Sequence, residues 1–483
     1  MKGNHHIFYT PEIQYPGMPH GEMCGDLMPF YQDGTYTFFF LYKYCIYAVE
    51  TKDFVTYSKC RLVLQNGSPE DQDWHAATGS VFQNGQKFYF YYTGFCEGNR
   101  GEEGKHEQAI LRAFSNDLYT WTKDETFHFI PDPEHFGDLH WRDPHVFWNE
   151  EKKKICMLVT ATTKDGAYLK SGCTAVYTSE DALNWEYDDI IYAPGIYPTH
   201  ECQDAFQMGN HWYLIFSTYS RWWETRYRIA DHFNGPWHTP LLDDMFDGRE
   251  FYAAKTVTDG NKRFLVGWQS IRKDCDDKNP FVWGGNVVVH ELLCREDGTF
   301  GVKMPDTIRN SFEKPLPLTF HTESPAWEMQ TLNGQIISGK CPEIFSWVQI
   351  GKITGTMLFE GTVSWTHGTQ AAGLMVHTSG PDLRKWCQIR IEPHHGRIAV
   401  ERYNQIDGDQ MYLDERRIFL NENKAKIQLI ISHTTLLVYV NDTALTTRCY
   451  GASKGGIGLF AECGDVRWSD LLLLEGKEYD ERI

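Results

Sequence analysis

Three carboxylates in this chain sit among apolar, strand-forming residues, where a charged group needs a reason to be. Asp143 lies in Leu139-His140-Trp141-Arg142-Asp143-Pro144-His145-Val146-Phe147-Trp148. Arg142 can keep a neighbouring carboxylate ionised by charge-assisted hydrogen bonding. Pro144 turns the residue before it away from the helical region, toward an extended backbone. Asp26 lies in Cys24-Gly25-Asp26-Leu27-Met28-Pro29-Phe30-Tyr31, with a glycine before it that permits a tight bend and apolar neighbours after it. Glu201 lies in Tyr197-Pro198-Thr199-His200-Glu201-Cys202-Gln203-Asp204-Ala205-Phe206. Desolvation and neighbouring carboxylates are expected to raise its pKa, as a general acid at neutral pH requires. Singly, each acid is as well explained by a turn cap or a hydrogen-bonded structural role. Together they ask for a fold that gathers distant stretches at one place.

Such a fold is written in the first ~300 residues, which read as many short aromatic and β-branched strands. Thr35–Tyr42, Lys87–Thr93, Ile155–Thr160, His211–Ser217 and Arg263–Trp268 are examples, most of them preceded by Asp-Gly, Asn-Gly or Gly-Asn turns. A unit repeats at Val49–Tyr57, Ala113–Trp121 and Tyr177–Trp185: a strand, a small residue or Thr, an Asp turn, then an aromatic. Its period of roughly 64 residues suggests four-stranded propeller blades, about five of them. In a propeller the starts of the innermost strands converge on the axis. Asp26, Asp143 and Glu201 are each expected to open a blade, so the three acids would meet in one funnel.

The texture changes near Pro305, where Lys314-Pro315-Leu316-Pro317 and Ser324-Pro325 mark a linker. Beyond Gly334 short strands resume without the blade unit, as in Gly355–Val363, Ala425–Ile431 and Leu436–Asn441. The expected architecture is all-β: a five-bladed β-propeller over 1–305, a linker over 306–333, and a β-sandwich of jelly-roll or lectin-like type over 334–483. Bracing the propeller is the first role expected of the sandwich, and a homo-oligomer through it is a further possibility.

With 483 residues, 41% hydrophobic and 23% charged, the chain has room for two domains. A net charge of −19 argues against nucleic acid or anionic membranes as partners. Sixteen Trp, 26 Tyr and 29 Phe suit a β-rich protein, and a site that stacks rings on sugar faces. Thirteen cysteines without paired CxxC spacing read as reduced, mostly buried thiols of a cytoplasmic protein. The N-terminus has no apolar signal core, and no apolar run is long enough to span a membrane.

Three carboxylates and an arginine in an aromatic pit are the equipment of a glycosidase. Here the chain resembles glycoside hydrolase family 32, the β-fructofuranosidases, over most of its length. The family's Arg-Asp-Pro is matched by Arg142-Asp143-Pro144, and its Glu-Cys by Glu201-Cys202. Its Ser-Gly-Ser strand resembles Thr78-Gly79-Ser80, its first-blade segment Tyr47–Asp53, and its Phe-Tyr-Ala segment Phe251-Tyr252-Ala253. Gly267-Trp268, Trp283-Gly284-Gly285 and His290-Glu291-Leu292 continue the likeness. The resemblance implies a retaining, exo-acting hydrolase of a short β-fructofuranoside that needs no metal or organic cofactor. Asp26 would be the nucleophile, Glu201 the acid/base, and Asp143, held by Arg142, the transition-state stabiliser. Substrate-binding candidates are Arg142, Asp73, Trp74, Ser80, Tyr47, Cys202, Tyr252, Trp268 and Trp283. Arg100, His140, Arg221 and Lys255, with His5, His6, His20 and His75, are further polar groups left unranked. The family's Asn-Asp-Pro-Asn-Gly becomes Gly25-Asp26-Leu27-Met28-Pro29, and its Trp-Gly-His becomes Cys45-Ile46-Tyr47. These departures leave the furanoside open, so an arabinofuranosidase, a difructose-anhydride enzyme or a carbohydrate-binding propeller without turnover stand as alternatives.

Overall fold

The computed structural model of the chain describes residues 4–5, 7–11, 24–99, 105–220, 222–322, 324, 326–331, 335–340, 344–378, 385–404, 409–420, 422–450 and 455–476. The repeated strand–turn–aromatic unit is the device from which the first sheets are built. Thr51 Oγ1 accepts the Phe54 N–H at 2.9 Å, and Asp53 Oδ1 accepts those of Val55 and Thr56 at 2.9 and 2.7 Å. Ser115 with Asp117, and Ser179 with Asp181, bind the amides of Leu118–Thr120 and Ala182–Asn184 in the same way. Phe54, Leu118 and Ala182 thereby take φ of 60°, 65° and 60°. Left-handed backbone costs a residue with a Cβ about 1–2 kcal/mol, and the side-chain hydrogen bonds offset it.

Five antiparallel sheets follow one another along residues 4–303, and they form a five-bladed propeller. Their innermost strands are Gly25–Gln32, His75–Asn84, Phe136–Asn149, Glu201–Met208 and Phe251–Thr258. Each packs against the next, and the last returns to the first. The ring is latched where Cys24 and Gly285 exchange backbone hydrogen bonds at 3.2 and 2.9 Å and Val287 N–H reaches Tyr9 O at 2.9 Å. Between blades lie separate apolar layers: Phe39, Phe90 and Tyr92 between the first and second, Trp141, Val159 and Tyr91 between the second and third, Leu158, Trp212 and Phe216 between the third and fourth. Burying such side chains contributes roughly 1.5–3 kcal/mol each.

The blades are less uniform than their sequence period suggests. The fourth has three strands, and isolated bridges at Arg226–Met245 and Ile229–His238 lie along its outer strand. Asp26 and Glu201 stand at the starts of their strands, whereas Asp143 lies deep within the 14-residue strand Phe136–Asn149.

Two further sheets, facing one another across a core that includes Phe359, Ile389, Leu429 and Trp468, make the β-sandwich. The stretch expected to be a linker carries the short helix Asp306–Asn310 and the strands Phe312–Pro315 and Trp327–Thr331, both of which join a sandwich sheet. Sandwich and propeller are tied by buried polar bonds. Arg448 donates from Nε to Ser270 O at 2.6 Å and from Nη2 to Gln269 O at 3.3 Å. His290 bridges Asp247 Oδ2 and the Tyr439 hydroxyl, each at 2.8 Å.

Candidate active site

Every inner strand breaks its ladder register at one level: between Gly25 and Met28, Ala77 and Gly79, Arg142 and His145, Glu201 and Asp204, and Tyr252 and Lys255. These are β-bulges, which release residues from pairing and re-aim them. In four of the five a non-glycine residue takes the left-handed region: Asp26 at 47°, Asp143 at 55°, Cys202 at 51° and Ala253 at 51°. Asp143 is therefore not extended, although Pro144 follows it; short acids tolerate this conformation. Nor does Gly25 supply the bend beside Asp26. Its role is space, since a Cβ there would lie 2.4 Å from the Trp283 ring.

The bulges bring the three acids together. Asp26 accepts hydrogen bonds from Thr78 Oγ1 at 2.7 Å and Trp268 Nε1 at 3.2 Å. Asp143 Oδ2 takes the Cys202 N–H at 2.9 Å, and the Asp143 amide is fixed on Thr93 Oγ1 at 2.9 Å. Glu201 accepts from Tyr252 through one oxygen and from Arg142 Nη2 at 2.7 Å through the other. Arg142 thus pairs with Glu201 more closely than with Asp143, whose carboxylate stays 3.8 Å from its Nε. The guanidinium is held from behind by His140 Nδ1 at 2.6 Å and Gln108 Oε1 at 3.3 Å.

Burial, with Asp143 and Glu201 nearby, pushes Asp26 up to about 7 against its hydrogen bonds. Burial also raises Asp143, against the pull of Arg142. For Arg142 the balance runs the other way: burial disfavours the cation, but Glu201 and Asp143 outweigh it and raise its pKa. His140 is held down at about 3 by burial and by Arg142, so it is neutral and accepts from the guanidinium.

The remaining candidates fall into distinct positions. Trp268 and Tyr252 touch the carboxylates directly, and Cys202 does so through its backbone. Trp283 is half-exposed and meets the edge of Trp268 with ring centroids 5.8 Å apart. Trp74 lies against His75, which stacks in parallel on the exposed ring of Tyr44 at 4.1 Å. This aromatic step is three residues from Thr78, roughly 10 Å along the strand. Asp73 is buried and engaged by Lys123 and the Tyr92 hydroxyl. Ser80 Oγ accepts the Val146 N–H at 2.9 Å, so Thr78, rather than Ser80, is the hydroxyl on Asp26. Tyr47 stacks on Phe40 and meets the edge of Tyr42. Gln108 and Trp223, which packs on both Tyr252 and Trp268, carried no signal in the sequence. Arg100, Arg221, His6 and His20 lie outside the described residues, as does the side chain of His5.

Among the described residues no group of His, Cys, Asp and Glu is arranged to hold a metal ion, and no helix is long and apolar enough to cross a membrane. Chemically, the site offers one carboxyl bonded by neutral donors, one paired carboxylate beside a phenol, and a third bound to a backbone amide. That set suits proton transfer and nucleophilic attack at an acetal carbon.

Comparison with known proteins agrees in fold and in family. Residues 26–299 match the Glycosyl hydrolases family 32 N-terminal domain. A levanbiose-producing levanase of Bacillus subtilis (strain 168) is 24% identical over 396 residues, covering 73% of this chain and 68% of that protein. A raffinose invertase of Escherichia coli is 21% identical over 437 residues, covering 85% and 81%. The exo-inulinase of Aspergillus awamori superposes with a TM-score of 0.71 at 15% identity over 98% of both chains.

Proposed function

The chain belongs to glycosyl hydrolase family 32, and on that premise we propose that it is a retaining, exo-acting β-fructofuranosidase of short oligosaccharides. In this reading Asp26 attacks the anomeric carbon of a terminal fructofuranosyl unit while Glu201 delivers a proton to the departing oxygen. A water then attacks the glycosyl-enzyme ester as Glu201 takes its proton back, which returns both carboxyl groups to their starting states. Asp143, braced by the Cys202 amide, accepts hydrogen bonds from sugar hydroxyls as positive charge grows on the ring. The stacked Tyr44 and His75, with Trp74 tilted against His75, offer the leaving sugar an aromatic face.

The observation that carries the reading is the convergence of Asp26, Asp143 and Glu201 from three blades, with both other acids acting on the charge of Asp26. Twelve free cysteines among the described residues favour a reducing, cytoplasmic setting and hence a small, imported substrate. The test is product release from sucrose, 1-kestose, inulobiose, levanbiose, difructose anhydrides and aryl arabinofuranosides, with proton NMR of the first-formed anomer. Fructose released with retention, and lost in D26A and E201Q, is expected. Release from arabinofuranosides alone would overturn the sugar, and first-formed inverted product would overturn the mechanism.

A further inference from the structure

Of the three carboxylates in this site, two face the guanidinium of Arg142, which makes its close contact with Glu201. Asp26 has only neutral donors, Thr78 and Trp268. Asp143 has a backbone amide and a loose contact with Arg142. The next cation inward is Lys255. It stands two residues past Ala253, the left-handed residue of the fifth inner strand's bulge, and its side chain is buried with 2% of its surface exposed. Its Nζ donates to Gly79 O at 3.0 Å. Gly79 belongs to the second inner strand, next to the Thr78 that bonds Asp26. The lysine therefore crosses from the fifth blade to the second, past the first blade that carries Asp26.

The groups around it can be taken blade by blade. The first supplies Asp26 and the second only neutral residues, Thr78, Gly79 and Ser80. The third supplies Arg142, Asp143 and His145; the fourth Glu201, Cys202 and Asp204; the fifth Tyr252 beside the lysine itself. Arg263 acts on the charge of Asp204. Of the acids, Asp204 is satisfied by His145 at 3.0 Å and by the Thr256 amide and hydroxyl, each at 2.6 Å. Glu201 has Arg142. Cys202 is a neutral thiol, raised by burial. The negative charges left for the ammonium are those of Asp143 and Asp26. Burial lowers the pKa of Lys255, and Cys202, Asp143, Asp204 and Asp26 act in the opposite sense.

We propose that Lys255 is a positioning residue whose ammonium, fixed on the Gly79 carbonyl, balances Asp143 and Asp26 so that the nucleophile is ionised before substrate arrives. The inference rests on Asp26 being that nucleophile. Asp143 acts on the charge of Asp26, so removal of a cation that faces both is expected to raise the two together.

The experiment compares wild type with K255M, K255Q and K255R on whichever fructoside the wild type cleaves. In K255M and K255Q the acid limb of kcat/KM is expected to move up by one pH unit or more. Activity at pH 6 falls at least tenfold, and it recovers to within a few-fold of wild type on the alkaline side. K255R, where it folds, returns the limb toward wild type. A loss equal at every pH, or an unmoved limb, would overturn the proposal, because a merely structural lysine does either. A second readout needs no turnover: carboxyl-carbon NMR of aspartate-labelled protein, with Asp26 assigned through D26N. Its midpoint must rise in K255M or K255Q. An unchanged midpoint sinks the inference even if fructosides are cleaved, and a raised midpoint supports it even if none is.

Discussion

Replacing Asp26 by asparagine should stabilise the protein at alkaline pH while removing its turnover. Asn tolerates the left-handed backbone that Asp26 adopts at φ 47°. Its amide can accept from Trp268 and donate to the Thr78 hydroxyl, so the local hydrogen bonds survive. What disappears is the cost of a buried charge. The Asp26 carboxyl rises from 3.8 to about 7 on folding. A carboxyl raised in this way binds its proton more tightly in the folded state. Its contribution is therefore favourable below the unfolded value and is lost as pH climbs toward the folded one. At roughly 1.4 kcal/mol per unit, the full loss above pH 7 is about 4 kcal/mol. The side chain is not wholly shielded from solvent, and part of its shift comes from the neighbouring acids rather than burial, so about 2 kcal/mol is the expected gain for D26N. With an m value of ~3 kcal/mol/M or more, the urea midpoint should rise by up to about 0.7 M at pH 8.5. The gain should shrink steadily toward pH 4. Equal stability of the two proteins at pH 8.5, or a gain of the same size at both ends, would refute the idea that burial outweighs the groups that favour the Asp26 charge.

Tyr252→Phe removes the phenol that donates to Glu201. A hydrogen bond to a charged group is worth about 1.5–3 kcal/mol, so kcat on the fructoside should drop roughly ten- to a hundredfold with KM little changed; unaltered kcat would show that the phenol plays no part in proton transfer. Arg448→Met strips the buried joint of its bonds to Ser270 O and Gln269 O. A loss of about 2–4 kcal/mol is expected, seen by calorimetry as propeller and sandwich melting apart, whereas a single unshifted transition would argue that the joint is held by apolar contact alone.

What the sequence revealed, and what it hid, follows from the range of each interaction. The blade period was legible because its signal is local: a Ser or Thr and an Asp two residues later accept one turn's amides, and an aromatic follows. The unit does not by itself set the strand number: the fourth and fifth blades both lack it, and they have three and four strands. The acids could be placed in one funnel because inner strands of a propeller must converge, whatever lies between them. The partner of Arg142 was not legible. Successive side chains on a strand point to opposite faces, so sequence neighbours are poor candidates for an ion pair. The left-handed bulge turns Asp143 to the Cys202 amide, while Arg142 reaches across to Glu201. The partners of Asp73 and Ser80 were equally hidden: the two residues bond Lys123, Tyr92 and the Val146 amide. The strands at Phe312–Pro315 and Trp327–Thr331 were masked by the prolines around them.

The bulges give the final link between fold and chemistry. Four residues with a Cβ held in left-handed backbone cost roughly 1–2 kcal/mol each, and all four lie at the level of the carboxylates. At Ala253 and Cys202 the side chains are small and buried, and at Cys202 it is the backbone amide that is held, by Asp143. Compensation has to come from the apolar layers between blades and from the buried joint with the sandwich. The aromatic richness of the chain and the acids' unusual backbone are thus two sides of one arrangement: a rigid, over-determined ring strained at one mouth. Loosening the ring far from the funnel should then damage the site before it unfolds the protein, because the bulges are where the strand ladders have the least to lose by rearranging.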